Sequence, residues 1–156
     1  MRAFFYDTWA FAALANSRDP AHEVAARLDA ELERQGYVAV TSDYVLDETL
    51  TLLNVIGGAA AAVAFLDGFL VRVSAADVQL LEVGPTRRER AFELFRKLAP
   101  RERRLSFTDV TSFVLMRELS IPYAFTADAH FRSAGKGIRA LVERSGRRFV
   151  PVSFGT

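Results

Sequence analysis

At 156 residues the chain is long enough for about one domain, whose folding buries roughly 70% of the extended chain's surface. Half of it is apolar (51%) and a quarter charged (25%), as in ordinary globular proteins, and the absence of cysteine excludes disulfides, thiolate zinc and cysteine nucleophiles. The net charge of +1 conceals a segment, residues 87–104, with eight Arg or Lys against three Glu; its excess of +5 leaves −4 on the remainder, a division that suits a polyanion held near a metal-binding centre.

Residues 2–6 read as a short buried strand ending at Asp7, too brief an apolar stretch for a secretion signal. A helix follows to Ala15, with Asp7 or Thr8 as its N-cap. Asp19-Pro20 opens a second helix with Val24, Ala25, Leu28 and Leu32 at helical spacing, and Gly36 ends it as a left-handed cap. Residues 37–41 form the second strand. A helix over 42–56 carries Val45, Leu46, Leu50 and Leu53 on one stripe until Gly57-Gly58 breaks it, and an alanine-rich helix spans 59–71. The longest apolar run, 55–66, is short of the roughly 20 residues that span a bilayer. Residues 78–83 form a strand, and the turn Gly84-Pro85-Thr86 leads into a helix whose Thr86 and Glu89 form a capping box, ending before Pro100. A basic loop at 101–104, a helix over 107–119 and a strand over 123–126 follow. Residues 137–144 predict a short helix, and 149–153 a final edge strand. Strands alternating with helices imply an α/β fold, a mainly parallel central sheet with helices on both faces, in a single domain over 1–156.

Four acids stand where apolar runs meet helix starts: Asp7, Glu48, Asp109 and Asp128. Singly, each has a structural explanation. Asp7 and Asp128 suit N-caps, Ser106-x-x-Asp109 is a capping-box pattern, and Glu48 suits a solvated helix position. Together they suggest more, because sites in open α/β sheets collect outside the carboxyl ends of the strands. Carboxylates converging without Cys or His call for a hard divalent cation, Mg²⁺ or Mn²⁺, whose natural work is phosphodiester chemistry. Thr8, Ser106, Thr108 and Thr126 bring hydroxyls beside them that orient carboxylates. His130 lies two residues after Asp128, within reach of a phosphate, although a lone histidine beside a turn is more often structural.

Four motifs in this order resemble the PIN domain, and within it the VapC-type ribonuclease toxins of bacterial toxin–antitoxin pairs. They are the opening strand ending in Asp7-Thr8, Val40-Thr41-Ser42 followed by Glu48, Ser106-Phe107-Thr108-Asp109, and Thr126-x-Asp128-x-x-Phe131. The resemblance covers residues 2–135; the chain then continues past the family's usual end. It implies a cytoplasmic, Mg²⁺- or Mn²⁺-dependent endoribonuclease with Asp7, Glu48, Asp109 and Asp128 as catalytic and metal-binding residues. Asp7 and Asp109 would be the closest ligands, with Thr126 and Thr8 in support. It also selects Glu48 over its neighbours Asp43 and Asp47, the second of which the helical wheel separates from Glu48 only weakly. RNA contacts are expected from Arg101, Arg103 and Arg104, with a cognate antitoxin as partner and a homodimer built on the helix over 59–71. Two rival classes remain open. A phosphatase using Asp7 as nucleophile would want an acid two residues on, where Trp9 stands, and a non-catalytic module would use the acids only as caps.

Overall fold

Five short strands, β1 (Ala3–Tyr6), β2 (Val38–Ser42), β3 (Val78–Leu81), β4 (Tyr123–Phe125) and β5 (Arg139–Ala140), pair in the order β3-β2-β1-β4-β5, every neighbouring pair parallel. The structure, a computed structural model, describes residues 2–133 and 137–153. β1 lies at the centre and is buried at every residue, as the apolar run Ala3-Phe4-Phe5-Tyr6 requires of a strand covered on both faces. From β1 the chain first winds outward through β2 and β3, then returns to the other side of β1 with β4. The switch point therefore falls between β1 and β4. Tyr6 aligns with Phe125 across that pair, so the next residues, Asp7 and Thr126, leave the sheet side by side.

Helices α1 (Thr8–Ala15), α2 (His22–Arg34), α3 (Asp43–Ser74), α4 (Pro85–Leu98), α5 (Phe107–Glu118) and the four-residue α6 (His130–Ser133) fill the connections. The α/β architecture and parallel sheet read from the sequence are borne out. α2 ends as expected: Gly36 has φ 73°, and the bonds Tyr37 N to Leu32 O (3.0 Å) and Gly36 N to Glu33 O (2.9 Å) form a Schellman motif.

Two local expectations are corrected and one is borne out. Gly57-Gly58 does break the helix: Gly58 takes φ 78° and ψ 176°, a conformation open only to glycine, so the span α3 is two helices that meet at a kink there. The whole 32-residue span is long and apolar enough to cross a membrane by length and composition, yet its first half gives Val45, Thr49 and Leu53 to the core. The Thr86–Glu89 capping box does not form, because Pro85 takes the first helical position and moves the N-cap back to Gly84. Residues 137–144 hold strands rather than a short helix. Arg139 N bonds to Pro122 O (2.7 Å) and Leu141 N to Ala124 O (2.8 Å), drawing β5 onto the sheet edge. β6 (Val142–Ser145) and β7 (Arg148–Pro151) then form an antiparallel hairpin. Its turn places Gly146 (φ 62°) first, as a type II′ turn demands.

Candidate active site

Asp7 follows β1 directly and occupies the N-cap position of α1 with extended backbone (φ −93°, ψ 161°), but its side chain makes no capping hydrogen bond. Its Oδ2 instead accepts 2.7 Å from Thr126 Oγ1, across the switch point. The same Thr126 oxygen accepts from the Asp128 amide at 3.0 Å, which leaves its own proton for Asp7. Both residues are buried, so one hydroxyl fixes the Asp7 carboxylate and the loop bearing Asp128. Asp128 Oδ1 accepts from the His130 amide at 2.9 Å, the local role expected of an acid before a helical turn.

Glu48 arrives from the second turn of α3. Thr8 Oγ1 donates 2.6 Å to Glu48 Oε2, tying it to the residue after Asp7. Its two rivals do other things. Asp43 Oδ1 accepts from the amides of Tyr44 (2.9 Å) and Val83 (3.0 Å), binding the start of α3 to the end of β3, and Asp47 faces solvent.

Asp109 does two things at once. Its Oδ2 accepts from Ser106 N at 3.1 Å while Ser106 Oγ accepts from Asp109 N at 3.0 Å, a complete capping box at the start of α5. The capping reading is thus correct, but it does not account for the burial of this acid at 5% exposure or for its neighbours. Burial pushes Asp109 up to about 6 against the Ser106 hydrogen bonds, and the charges of Asp128 and Glu48 add to the rise. Burial likewise pushes Asp7 up to about 7, with Asp109 and Asp128 adding and the Thr126 hydroxyl opposing. The four acids therefore feel one another, and among the described residues no Arg or Lys forms an ion pair with any of them.

The residue that sequence reasoning undervalued is His130. Its Nδ1 lies 3.0 Å from Asp128 Oδ1 and 3.8 Å from Asp109 Oδ2, and its Nε2 lies 2.8 Å from the Arg103 carbonyl. Burial lowers the affinity of this ring for a proton, but the Arg103 carbonyl and the two carboxylates outweigh it and hold its pKa above the usual histidine value. Only its spacing from Asp128 hinted at this, since the partner carbonyl lies 27 residues away in sequence.

The basic segment divides. Arg87 chelates Glu118 (2.7 Å) and donates to the Glu82 carbonyl, and Arg90 lies 3.5 Å from Glu118, so this helix face is compensated by α5. Arg101, Arg103 and Arg104 are exposed, form no ion pair among the described residues, and sit on the loop that His130 holds. Trp9 packs against Phe125 and Phe149, so no acid stands where a phosphatase would need one.

This donor set suits a divalent cation: four oxygen-bearing side chains that pair with no Arg or Lys among the described residues, and one buried imidazole nitrogen that takes no hydrogen bond. A groove of about 680 Å³ lies at the other end of α1, lined by Phe11, Leu14, Leu53, Ile56, Phe65 and Phe69 among others, and none of the four acids lines it.

Comparison with known proteins agrees with this fold. The PIN domain family matches residues 4–137. The chain is 40% identical over 131 residues to the 23S rRNA-specific endonuclease VapC20 of Mycobacterium tuberculosis, covering 84% of this chain and 93% of that protein. A crystal structure of the M. tuberculosis VapC20, described as a sarcin–ricin-loop-cleaving toxin, superposes with a TM-score of 0.74 at 39% identity, covering 85% of this chain and 95% of the other. The fold is also shared with a Rickettsia felis VapBC2 structure bound to a promoter DNA fragment (TM-score 0.62, 14% identity, 87% of this chain and 95% of that one).

Proposed function

The chain belongs to the PIN domain family, and from that membership we propose that it is a Mg²⁺- or Mn²⁺-dependent endoribonuclease, the toxin of a toxin–antitoxin pair, acting in the cytoplasm on ribosomal RNA. The observation that carries this is Asp7. It is a buried acid at a helix start that declines the capping bond and turns instead toward two other carboxylates. A folded chain bears such uncompensated charge only where something else neutralises it.

Asp7 and Asp109 would hold the cation most closely, with Glu48 and Asp128 completing the centre. A divalent cation bound there supplies Lewis-acid polarisation of the phosphodiester and makes a nearby water more acidic. Glu48 or Asp128 takes a proton from the attacking water. Thr126 and Thr8 keep Asp7 and Glu48 from rotating, so the negative set is organised before substrate arrives. Arg101, Arg103 and Arg104 neutralise phosphates flanking the cut, positioning the strand without reading its sequence.

The apolar groove beside α1 and α3 offers a seat for the antitoxin. Val55, Ile56, Val63, Leu70 and Val71 are exposed on α3 and suit a homodimer contact, whereas Phe69 serves the protein's own core. The test is incubation of the purified chain with intact ribosomes, with primer extension along the large-subunit RNA. A single cut that needs Mg²⁺ or Mn²⁺ and stops with EDTA is expected. Intact ribosomal RNA under all conditions would overturn the substrate assignment.

A further inference from the structure

The Nδ1 atom of His130 is buried, takes no hydrogen bond, and faces two carboxylates. The other ring nitrogen explains how it got there. Nε2 lies 2.8 Å from the carbonyl oxygen of Arg103, and a carbonyl only accepts, so Nε2 carries the proton. In the neutral ring, Nδ1 is then a bare lone pair. It lies 3.0 Å from Asp128 Oδ1, close enough to hydrogen bond if protonated, but the geometry is wrong for that bond, and this oxygen already accepts from the His130 amide.

One nitrogen and two carboxylate oxygens thus lie within 4.8 Å of one another. An ion bound at about 2.1 Å sets its neighbouring ligand atoms roughly 3.0 Å apart at right angles and up to about 4.2 Å apart across the ion. The observed 3.0 and 3.8 Å separations fall inside that range. A metal-ligating histidine, moreover, characteristically donates its other N–H to a carboxylate or a backbone carbonyl, which fixes tautomer and ring orientation. Arg103 already provides that carbonyl.

We propose that His130 Nδ1 is a direct ligand of a divalent cation shared with Asp109 and Asp128, making the centre a mixed nitrogen–oxygen site. The inference rests on the reading of the acidic centre as a cation site. Its chemical consequence is selectivity. Imidazole contributes little to Mg²⁺ but strengthens binding of Mn²⁺ and later first-row ions. Because the same ring holds the Arg103 carbonyl, it also joins the cation to the basic loop that would meet RNA.

The test uses the metal-free full chain, titrated with Mn²⁺ and with Mg²⁺ by calorimetry, and the nitrogen modulation of bound Mn²⁺ by pulsed electron paramagnetic resonance. The chain has two histidines, and the other, His22, has its Nδ1 engaged 2.8 Å from the Ala13 carbonyl. Wild type should show imidazole nitrogen modulation. His130→Gln, which still reaches the Arg103 carbonyl through its amide but offers no ring nitrogen, should lose it. That variant should bind Mn²⁺ about 10- to 100-fold more weakly, while Mg²⁺ binding changes less than about threefold. Wild type that binds Mn²⁺ without nitrogen modulation, or a Gln variant that keeps wild-type Mn²⁺ affinity, overturns the ligand role and leaves the acidic centre standing. Wild type that binds neither ion overturns both.

Discussion

Tyr6 and Asp7 are neighbours on one chain, yet they end in opposite electrostatic situations. The Tyr6 hydroxyl hydrogen bonds to Asp29 and receives 3.1 Å from Arg72 Nη2, Arg72 lies 3.8 Å from Asp29, and the guanidinium sits 5.5 Å over the Tyr6 ring. There the half-buried acid has its cation, and α2, β1 and α3 are tied together by the protein's own groups. One residue later, Asp7 meets only a hydroxyl, an amide and other acids. The first arrangement is complete in itself and reads as structural. The second is incomplete and reads as built for a ligand.

The contrast can be broken at several points, and the largest effect is expected in cleavage. Asp109→Asn should lower cation-dependent RNA cleavage by on the order of 10²–10³-fold, while circular dichroism stays native because Asn still serves the capping box with Ser106. A folded variant with undiminished cleavage would remove Asp109 from the site. Tyr6→Phe should act in the opposite compartment, lowering stability by about 1 kcal/mol through removal of the hydroxyl without altering the response to Mn²⁺. A changed Mn²⁺ response would mean that the two regions are not independent. The smallest effect concerns the loop. Changing Arg101, Arg103 and Arg104 together to Ala should flatten the salt dependence of RNA binding by a slope of roughly 0.7 for each phosphate no longer neutralised. An unchanged slope would return these residues to ordinary solvated charge.

Much of this was legible in the chain because local signals agreed with the final fold. The apolar run before Asp7, the Gly36 cap and the Ser106–Asp109 box are each decided within a few residues, and the strand–helix alternation implied a parallel sheet. What escaped depended on distant partners. The helical wheel separated Asp47 from Glu48 only weakly and the family resemblance made the choice; the contacts that set them apart, Glu48 with Thr8 40 residues away and Asp43 with the Val83 amide, are seen only in the fold. His130 looked bland because its meaning lies in the Arg103 carbonyl and in Asp109. Residues 137–144 had a helix-compatible composition, and only pairing with β4 and with Arg148–Pro151 made strands of them. The charge excess over residues 87–104 did not show that Arg87 is taken by Glu118, 31 residues on.

Thermal melting of wild type and Asp7→Asn, with and without Mn²⁺ across pH, tests most directly the claim that the acids form one uncompensated cation site. In the folded chain Asp7 is held near 7 and Asp109 near 6, against about 3.9 when unfolded. The folded state therefore keeps more protons between about pH 4 and 7, so metal-free stability falls by a few kcal/mol as pH rises through that window. At pH 7.5 metal-free Asp7→Asn should melt above wild type, because it lacks one of the repelling charges. Mn²⁺ at about 100 times its dissociation constant should add roughly 2.7 kcal/mol to wild type, a rise on the order of 5–10 °C, that EDTA reverses and the Asn variant largely lacks. If metal-free wild type melts above Asp7→Asn at pH 7.5 and Mn²⁺ raises both equally, the four acids do not act as one site.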